Sequence, residues 1–162
     1  MKKLTEPTQQ LVDKLRGVVP EWNALLDWRI EWLESAHLYQ LAPTNVPWVI
    51  WMLLAGRGAG KTKCAGNELG WLSLSNPETR SLVTAPTSGD IRDTCFEGES
   101  GLMNTLPKWA IKKYNSSLHE IVLFNDSMLK GIPASEPERY RGPQFHYAWY
   151  DELAAMEKPQ AA

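Results

Sequence analysis

A glycine-rich octapeptide constrains the fold of this chain more than any other feature. Residues 55–62 read A-G-R-G-A-G-K-T and directly follow the apolar run W-V-I-W-M-L-L at residues 48–54. This order predicts a buried strand, a tight turn and then a helix. The glycines permit backbone conformations that a Cβ would block, so that N–H groups can surround a phosphate. The octapeptide therefore predicts a phosphate-binding loop, with an ordinary glycine-rich turn as the alternative.

The last two residues of this loop carry groups that suit a bound nucleotide. Lys61 would place its ammonium near the β- and γ-phosphates, and the Thr62 hydroxyl would bind Mg²⁺. The helix expected from about Thr62 to Leu74 adds the partial positive charge of its N-terminal end. The pattern therefore predicts a phosphate and Mg²⁺ site at the start of that helix.

A short aromatic run near the end of the sequence closes on two acidic residues. Residues 145–150 read F-H-Y-A-W-Y, and Asp151 and Glu152 follow. Such a strand end is typical of the second motif of nucleoside triphosphatases, in which the first acid supports Mg²⁺ and the second orients a water. Asp151 follows Lys61 by 90 residues (151 − 61), which leaves room for several strand–helix units. Because ligands bind at the carboxyl edge of open α/β sheets, the two motifs together predict one site there.

Length, charge and hydropathy limit the class of protein. The 162 residues suffice for one domain with a substantial core. The formal net charge is −2, so that the whole chain is not an electrostatic DNA binder and any DNA contact must be local. The sequence shows no secretory leader and no apolar run of about 18 residues, which predicts a soluble, intracellular protein. One basic–aromatic cluster, for which we favour a solvated helix face over a DNA contact, consists of Lys108, Trp109, Lys112, Lys113 and Tyr114.

The remaining pattern predicts helices before the loop and several strands after it. Residues 1–19 are expected to form a short helix or a frayed tail. A tryptophan-rich helix should begin at Pro20 and end before Pro43. Thr87 and Asp90 form a capping-box pattern at the start of a further helix. The predicted strands, of which the third and fourth form a β-hairpin, are residues 48–54, 81–85, 118–124, 128–132 and 145–150.

Several strings beyond the two motifs carry a resemblance to a known family. From about Gln40 to its end, the chain resembles the N-terminal ATPase domain of the large terminase subunit, the DNA-packaging motor of tailed bacteriophages. The most specific string is E-P-E-R-Y-R-G-P-Q at residues 136–144, because a generic nucleoside triphosphatase does not need it. The other strings are Q-L-A-P at residues 40–43, A-P-T-S-G-D-I-R-D at residues 85–93 and E-G-E-S-G-L at residues 97–102.

The resemblance implies an α/β fold. We expect a P-loop NTPase sheet of the ASCE type that is mostly parallel, incomplete and flanked by helices, with a peripheral β-hairpin. The expected organisation is an N-terminal helical lead-in at residues 1–39 and a partial P-loop ATPase domain at residues 40–162. Large terminases continue with a coupling motif, further ATPase strands and a nuclease domain, which have no counterpart here. The resemblance therefore covers only part of a large terminase, within its N-terminal ATPase domain.

The resemblance also implies roles for individual residues. Gln40 would read the adenine edge of ATP, with a polar loop residue as the alternative. Asp151 would support Mg²⁺, and Glu152 would act as the general base or orient a water. Arg57 would sense the γ-phosphate and Arg141 would reach the ATP of a neighbouring subunit, with a solvated or structural charge as the alternative for both. The residues expected to bind ATP are Gln40, Ala55, Gly56, Arg57, Gly58, Ala59, Gly60, Lys61 and Thr62.

The implied activity is ATP hydrolysis that drives viral DNA into the capsid. Its cofactors would be ATP and Mg²⁺. Its partners would be double-stranded DNA, a portal protein, the small terminase subunit and further copies of the subunit in a ring, in the cytoplasm of the bacterial host and without a membrane. Because the downstream ATPase strands have no counterpart here, we expect weak or absent turnover by the chain itself. The alternatives are a helicase-like P-loop ATPase and a non-catalytic prophage remnant.

Overall fold

The computed structural model describes residues 20–44 and 46–156, so that the expectation of a short helix or frayed tail at residues 1–19 falls outside the described residues. The chain divides into two units after Ser35. The first unit contains helix α1, Pro20–Ser35, which begins where the sequence predicts and ends before Pro43. Leu25 and Trp32 are buried. Their separation of two helical turns places both side chains on one face of α1.

The second unit is built on a five-stranded mixed sheet. The strands are β1 (Arg80–Thr84), β2 (Ile111–Asn115), β3 (Glu120–Leu123), β4 (Met128–Gly131) and β5 (Tyr147–Tyr150). Their order across the sheet is β2-β3-β4-β1-β5. β1 is parallel to both of its neighbours, whereas the pairs β2–β3 and β3–β4 are antiparallel. The α/β class is confirmed, but the expectation of a mostly parallel sheet is wrong, because the hairpin strands join the same sheet.

The predicted β-hairpin is present, but it is not peripheral. β3 and β4 are antiparallel, with Glu120 opposite Lys130. β4 is also paired with β1, where Ser81 lies opposite Leu129. Ile121 and Leu129 are fully buried. The hairpin is integral to the sheet because its apolar residues complete the core, which a peripheral hairpin would leave in water.

The basic–aromatic cluster does not form the helix face that the sequence suggests. Lys108–Ala110 is a single 3₁₀ turn, and the residues that follow form β2 at one edge of the sheet. Lys112 and Lys113 are exposed there, and Lys112 Nζ lies 2.7 Å from Asp126 Oδ1. Exposed lysines are common on edge strands because their charges oppose pairing with another chain. The helix interpretation fails because pairing with β3 is a tertiary interaction that outweighs local propensity.

The apolar run before the glycine-rich loop, residues 48–54, does not form the predicted strand. Val49, Ile50 and Leu54 are 96%, 80% and 86% exposed. No backbone hydrogen bond joins this run to a strand in the part of the chain that the structure describes. A strand needs a neighbour that pairs with its N–H and C=O groups, and apolar composition alone does not supply one. The glycine-rich loop is therefore reached through an unpaired segment.

Helix α2, Lys61–Ser75, connects the loop to the sheet and packs against β1 and β5. It begins one residue before Thr62, which is the start that the sequence predicts. Cys64 and Leu69 are among its buried residues. Ser73 Oγ and Ser81 Oγ share a hydrogen bond of 2.7 Å, which ties α2 to β1. No helix within the described ranges is long and apolar enough to cross a membrane.

The capping box predicted at Thr87 is present. Thr87 Oγ1 accepts a hydrogen bond from Asp90 N at 3.1 Å, and Thr87 N donates to Asp90 Oδ2 at 3.0 Å. After the helical turn α3, Ser88–Asp90, the chain continues as a π-helix at Ile91–Phe96. Short π-helical segments are frequent at functional sites. The remaining short helices of this unit are the 3₁₀ turn Leu38–Gln40, helix α4 (Leu102–Thr105) and the 3₁₀ turns Pro137–Tyr140 and Leu153–Ala155.

A buried histidine, His119, lies between β2 and β3. His119 Nε2 lies 2.8 Å from Ser88 Oγ, and its Nδ1 has no hydrogen-bond partner among the described residues. Burial lowers the pKa of His119 from its usual value, and the positive charges of Arg139 and Arg92 lower it further. The neutral ring therefore suits this position better than the protonated ring.

We expect the free energy of unfolding to fall as the pH drops below about 6.5, the ordinary pKa of histidine. The unfolded chain binds a proton at His119 more readily than the folded chain does. The contribution of neutral His119 to stability is therefore fully present above that pH and is lost as the pH falls toward the lowered folded-state pKa. His119→Gln should make this decline shallower in urea unfolding compared at about pH 7.5 and about pH 5. The matched control His37→Gln, at an exposed histidine, should keep the parent slope, and an unchanged slope for His119→Gln would contradict the prediction.

Candidate functional site

The glycine-rich loop has a shape that favours glycine at two positions. Gly58 and Gly60 have φ angles of +79° and +73°. This left-handed region costs other residues about 1–2 kcal/mol. Gly60 precedes α2, and Cys64 N donates to Gly60 O at 2.9 Å. The loop thus leads directly into the N-terminal end of a helix, which is the arrangement that a phosphate site requires.

The loop and the acidic pair after β5 line one cavity of about 280 Å³. The fold therefore brings together two motifs that are 90 residues apart in the sequence. Gln40, Ala55, Gly56 and Arg141, which were also predicted as site residues, are not among the residues that line it. The lining residues are Arg57, Gly58, Ala59, Gly60, Lys61, Thr62, Thr94, Ser100, Asp151 and Glu152.

The side chain of Gln40, which belongs to the 3₁₀ turn before the loop, contacts the loop backbone. Its Nε2 donates to Ala59 O at 3.0 Å, and its Oε1 accepts from His37 N at 2.8 Å. A Cβ added at Gly60 would lie 2.5 Å from Gln40 Nε2, so a larger residue at this position would have to displace the Gln40 amide. Both polar ends of the buried Gln40 amide are thus engaged with backbone. Each end keeps one further hydrogen-bonding site, and recognition of adenine by Gln40 stays a prediction.

Lys61 and Thr62 present their polar groups at the start of α2. Lys61 Nζ donates to Ala55 O and Gly56 O, each at 2.9 Å, so its charge lies against the loop itself. A phosphate oxygen would be a stronger, charged acceptor for the same ammonium. The Thr62 hydroxyl has no hydrogen-bond partner among the described residues. Both groups are thus placed to interact with an anion or a cation in the cavity.

Asp151 occupies a half-buried position directly after β5. Its backbone N donates to Thr84 O at 2.8 Å, which continues the pairing with β1. Burial raises the pKa of Asp151, and the adjacent negative charge of Glu152 raises it further. Cys95 Sγ lies 3.9 Å from Asp151 Oδ2, and burial raises the pKa of this thiol. The positive charge of Lys61 offsets part of the rise in the pKa of Asp151, and a bound cation would stabilise the ionised carboxylate further.

Glu152 adopts a backbone conformation that is unusual for a residue with a side chain. Its φ of +48° lies in the left-handed region. Such conformations cost about 1–3 kcal/mol and cluster at active sites. The Glu152 carboxylate lines the cavity, and it has no ion-pair partner among the described residues. The strained turn thus places an available carboxylate beside Asp151.

The cavity fits a magnesium ion that is held together with a phosphate. Mg²⁺ is usually bound through one or two carboxylates, several waters and phosphate oxygens rather than by a closed protein cage. Thr62 and Asp151 line the same cavity and supply a hydroxyl and a carboxylate. No cluster of three or more histidine, cysteine or acidic residues suited to a metal occurs in the described part of the chain. The donor set thus suits Mg²⁺ with a nucleotide better than a structural metal.

The two predicted arginines lie in different environments. Arg57 is exposed within the loop and lines the cavity. Arg141 follows the 3₁₀ turn Pro137–Tyr140, and its Nη1 lies 3.0 Å from Glu138 Oε2 in an exposed ion pair. The structure therefore places Arg57 at the site, whereas Arg141 is on the surface and outside the lining of the cavity.

Sequence reasoning missed two lining residues, Thr94 and Ser100. Thr94 belongs to the π-helix, and Ser100 belongs to the turn that follows it. The prediction from the sequence rests on the glycine-rich loop and the acidic pair, and neither Thr94 nor Ser100 belongs to either motif. The available signal was the pair of glycines on either side of Ser100 in E-G-E-S-G, which indicates a tight turn.

These features define an α/β protein in which a glycine-rich loop before a helix faces two carboxylates at the end of a strand. Residues 52–162 match the family described as terminase large subunit, T4likevirus-type, N-terminal. The match covers more than half of the chain, which therefore belongs to this terminase family, as the resemblance implied. Membership supports phage DNA packaging as the process in which the chain takes part. No curated protein and no solved structure matches the chain.

Proposed function

We propose that this chain binds ATP with Mg²⁺ at the cavity and belongs to a motor in which ATP hydrolysis drives viral DNA into the capsid. The main support for the proposal is that the glycine-rich loop, Asp151 and Glu152 line the same cavity. A loop–helix junction binds phosphate, and paired acids at a strand end serve the metal and the water. Family membership supplies the packaging context.

The residues of the two motifs have distinct roles in the proposed reaction. The backbone amides of the loop hold the β- and γ-phosphates, and Lys61 Nζ moves from its carbonyl partners to a phosphate oxygen. Thr62 and Asp151 would hold Mg²⁺, which offsets phosphate charge. Glu152 orients a water for in-line attack and accepts its proton, while Arg57 contacts the γ-phosphate. The raised pKa of Asp151 means that its surroundings disfavour the ionised carboxylate, which a bound cation would stabilise.

The proposed partners follow from the family. They are double-stranded DNA, a portal protein, the small terminase subunit and further copies in a ring, in the cytoplasm of the bacterial host. The net charge of −2 limits DNA binding to local contacts. The unpaired residues 48–54 leave the loop without a strand to hold it, which favours slow turnover by the chain itself.

Titration calorimetry with ATP and Mg²⁺ tests nucleotide binding. Lys61→Ala should lower ATP affinity by at least about 10-fold, because a hydrogen bond to a charged group contributes about 1.5–3 kcal/mol. Lys113→Ala removes an exposed lysine from β2, away from the cavity, and should bind ATP like the parent. Identical heats for the parent and Lys61→Ala would contradict the proposed site.

A further inference from the structure

Two hydroxyl residues outside both nucleotide motifs form part of the cavity wall. Thr94 and Ser100 line the same cavity as Lys61, Asp151 and Glu152. Neither hydroxyl has a hydrogen-bond partner among the described residues. Other polar side chains nearby are engaged within the protein, as Asn104 Nδ2 is with Gly98 O at 2.9 Å. The Thr94 and Ser100 hydroxyls are therefore available to a ligand in the cavity.

The turn that carries Ser100 is folded tightly against the π-helix. A Cβ added at Gly98 would lie 2.7 Å from Asp93 O and 2.8 Å from Thr94 O. A Cβ added at Gly101 would lie 2.9 Å from Thr94 O, and Gly101 N donates to Gly98 O at 2.8 Å. Only residues without a Cβ permit this approach. The two glycines thus hold Ser100 beside Thr94 at the cavity.

The same turn is fixed to the helix that follows the phosphate loop. Thr105 Oγ1, at the end of α4, donates to Gly101 O at 3.0 Å. A Cβ added at Gly66 of α2 would lie 2.7 Å from Thr105 Oγ1, so α4 lies directly against α2. Lys61 and Thr62 are the first residues of α2. The wall that carries the two hydroxyls is therefore held in a defined position relative to the loop.

The π-helix also lies on the acidic side of the cavity. Cys95, the neighbour of Thr94 in the chain, has its Sγ 3.9 Å from Asp151 Oδ2. The amides of a phosphate loop surround the inner phosphates, whereas the acidic pair serves the metal and the attacking water at the terminal phosphate. A hydroxyl on this side can donate to a phosphate oxygen without adding charge next to Glu152.

We propose that Thr94 and Ser100 are nucleotide-binding residues that donate hydrogen bonds to the terminal phosphate of a bound nucleoside triphosphate. This inference rests on the proposed nucleotide site. Both hydroxyls distinguish a triphosphate from a diphosphate, because a diphosphate has no group at that position. The turn that carries Ser100 contacts α4, and α4 packs against α2. The hydroxyl residues and the phosphate loop would therefore contact the same nucleotide from two sides.

The test compares the affinities of the full chain for ADP–Mg²⁺ and for a non-hydrolysable ATP analogue with Mg²⁺, by titration calorimetry. The double variant Thr94→Val, Ser100→Ala should lose about 10-fold or more in affinity for the analogue, since hydrogen bonds to charged groups are the strong class. Its affinity for ADP should stay at the parent value. Thr94→Ser, which keeps the hydroxyl, should retain the preference for the analogue, and Ser117→Ala in an exposed turn is the matched control.

The outcomes separate this inference from the proposed function. Equal losses for ADP and the analogue would indicate a structural role of the wall and overturn the inference, while the nucleotide site would stand. An unchanged preference in the double variant would overturn it as well. Absence of binding of either nucleotide by the parent chain would overturn the proposed function and this inference together. The thermal unfolding midpoint of each variant is measured as well, so that a loss of nucleotide affinity caused by misfolding can be recognised.

Discussion

Replacement of Arg141 by alanine in a ring-forming homologue should lower ATP hydrolysis by roughly 10³- to 10⁵-fold, the contribution of an arginine supplied to a neighbouring site. Nucleotide affinity should remain nearly intact. Arg141 is 80% exposed, and its partner Glu138 is 73% exposed. It does not line the cavity of its own subunit, so its guanidinium is better placed for a neighbour. Arg139→Ala breaks the comparable Arg139–Glu136 pair on the same 3₁₀ turn and should keep most of the activity.

Mixed rings test whether Arg141 acts on a neighbouring subunit. A Glu152→Gln subunit would have an inactive site but an intact Arg141. Mixing it with Arg141→Ala subunits should restore part of the hydrolysis rate, because some active sites then receive an arginine from the adjacent subunit. The assignment is wrong if no mixing ratio restores activity and Arg141→Ala alone also binds ATP much more weakly. That pair of results would place Arg141 at its own nucleotide.

A second large effect, a loss of ATP affinity, is expected from Gly60→Ala at the junction of the loop and α2. The φ of +73° costs an alanine about 1–2 kcal/mol. The new Cβ would also lie 2.5 Å from Gln40 Nε2 and displace the amide that holds Ala59 O. Both effects distort the backbone that would surround the phosphates. ATP affinity measured by calorimetry should therefore fall on the order of 10-fold or more.

The control for this loop variant is Gly89→Ala. Gly89 lies in the short helix α3, and its added Cβ would meet Thr87 Oγ1 at an ordinary distance of 3.6 Å. It has no positive φ and does not line the cavity. Its ATP affinity should match that of the parent. A Gly60→Ala chain that also binds like the parent would show that the left-handed loop conformation is not needed for binding.

Local sequence patterns were enough to predict the elements whose formation depends on neighbouring residues in the chain. The start of α2 after Gly60 follows from the glycine-rich turn, and the capping box at Thr87 and Asp90 is formed as predicted. The strands β1, β3, β4 and β5 lie where apolar runs and turn residues predict them. The bounds differ by a few residues because hydrogen bonding with neighbours decides where a strand ends.

Pairing between distant segments was not predictable in the same way. Residues 48–54 are as apolar as any strand of the sheet, yet they have no strand partner among the described residues. Residues 111–115 contain two exposed lysines, yet they form β2 against β3. Apolar composition indicates a tendency to be buried, whereas a strand also requires a neighbour with free N–H and C=O groups.

The sequence by itself determined the groups that the candidate site offers: left-handed glycines, Lys61 and Thr62 at a helix start, and Asp151 and Glu152 after a strand. Each depends on residues within one short segment, so its local geometry follows from backbone and side-chain chemistry. The tertiary structure decided which segments meet. It placed Thr94 and Ser100 at the cavity and Arg141 outside it, because such contacts depend on the packing of elements far apart in the chain.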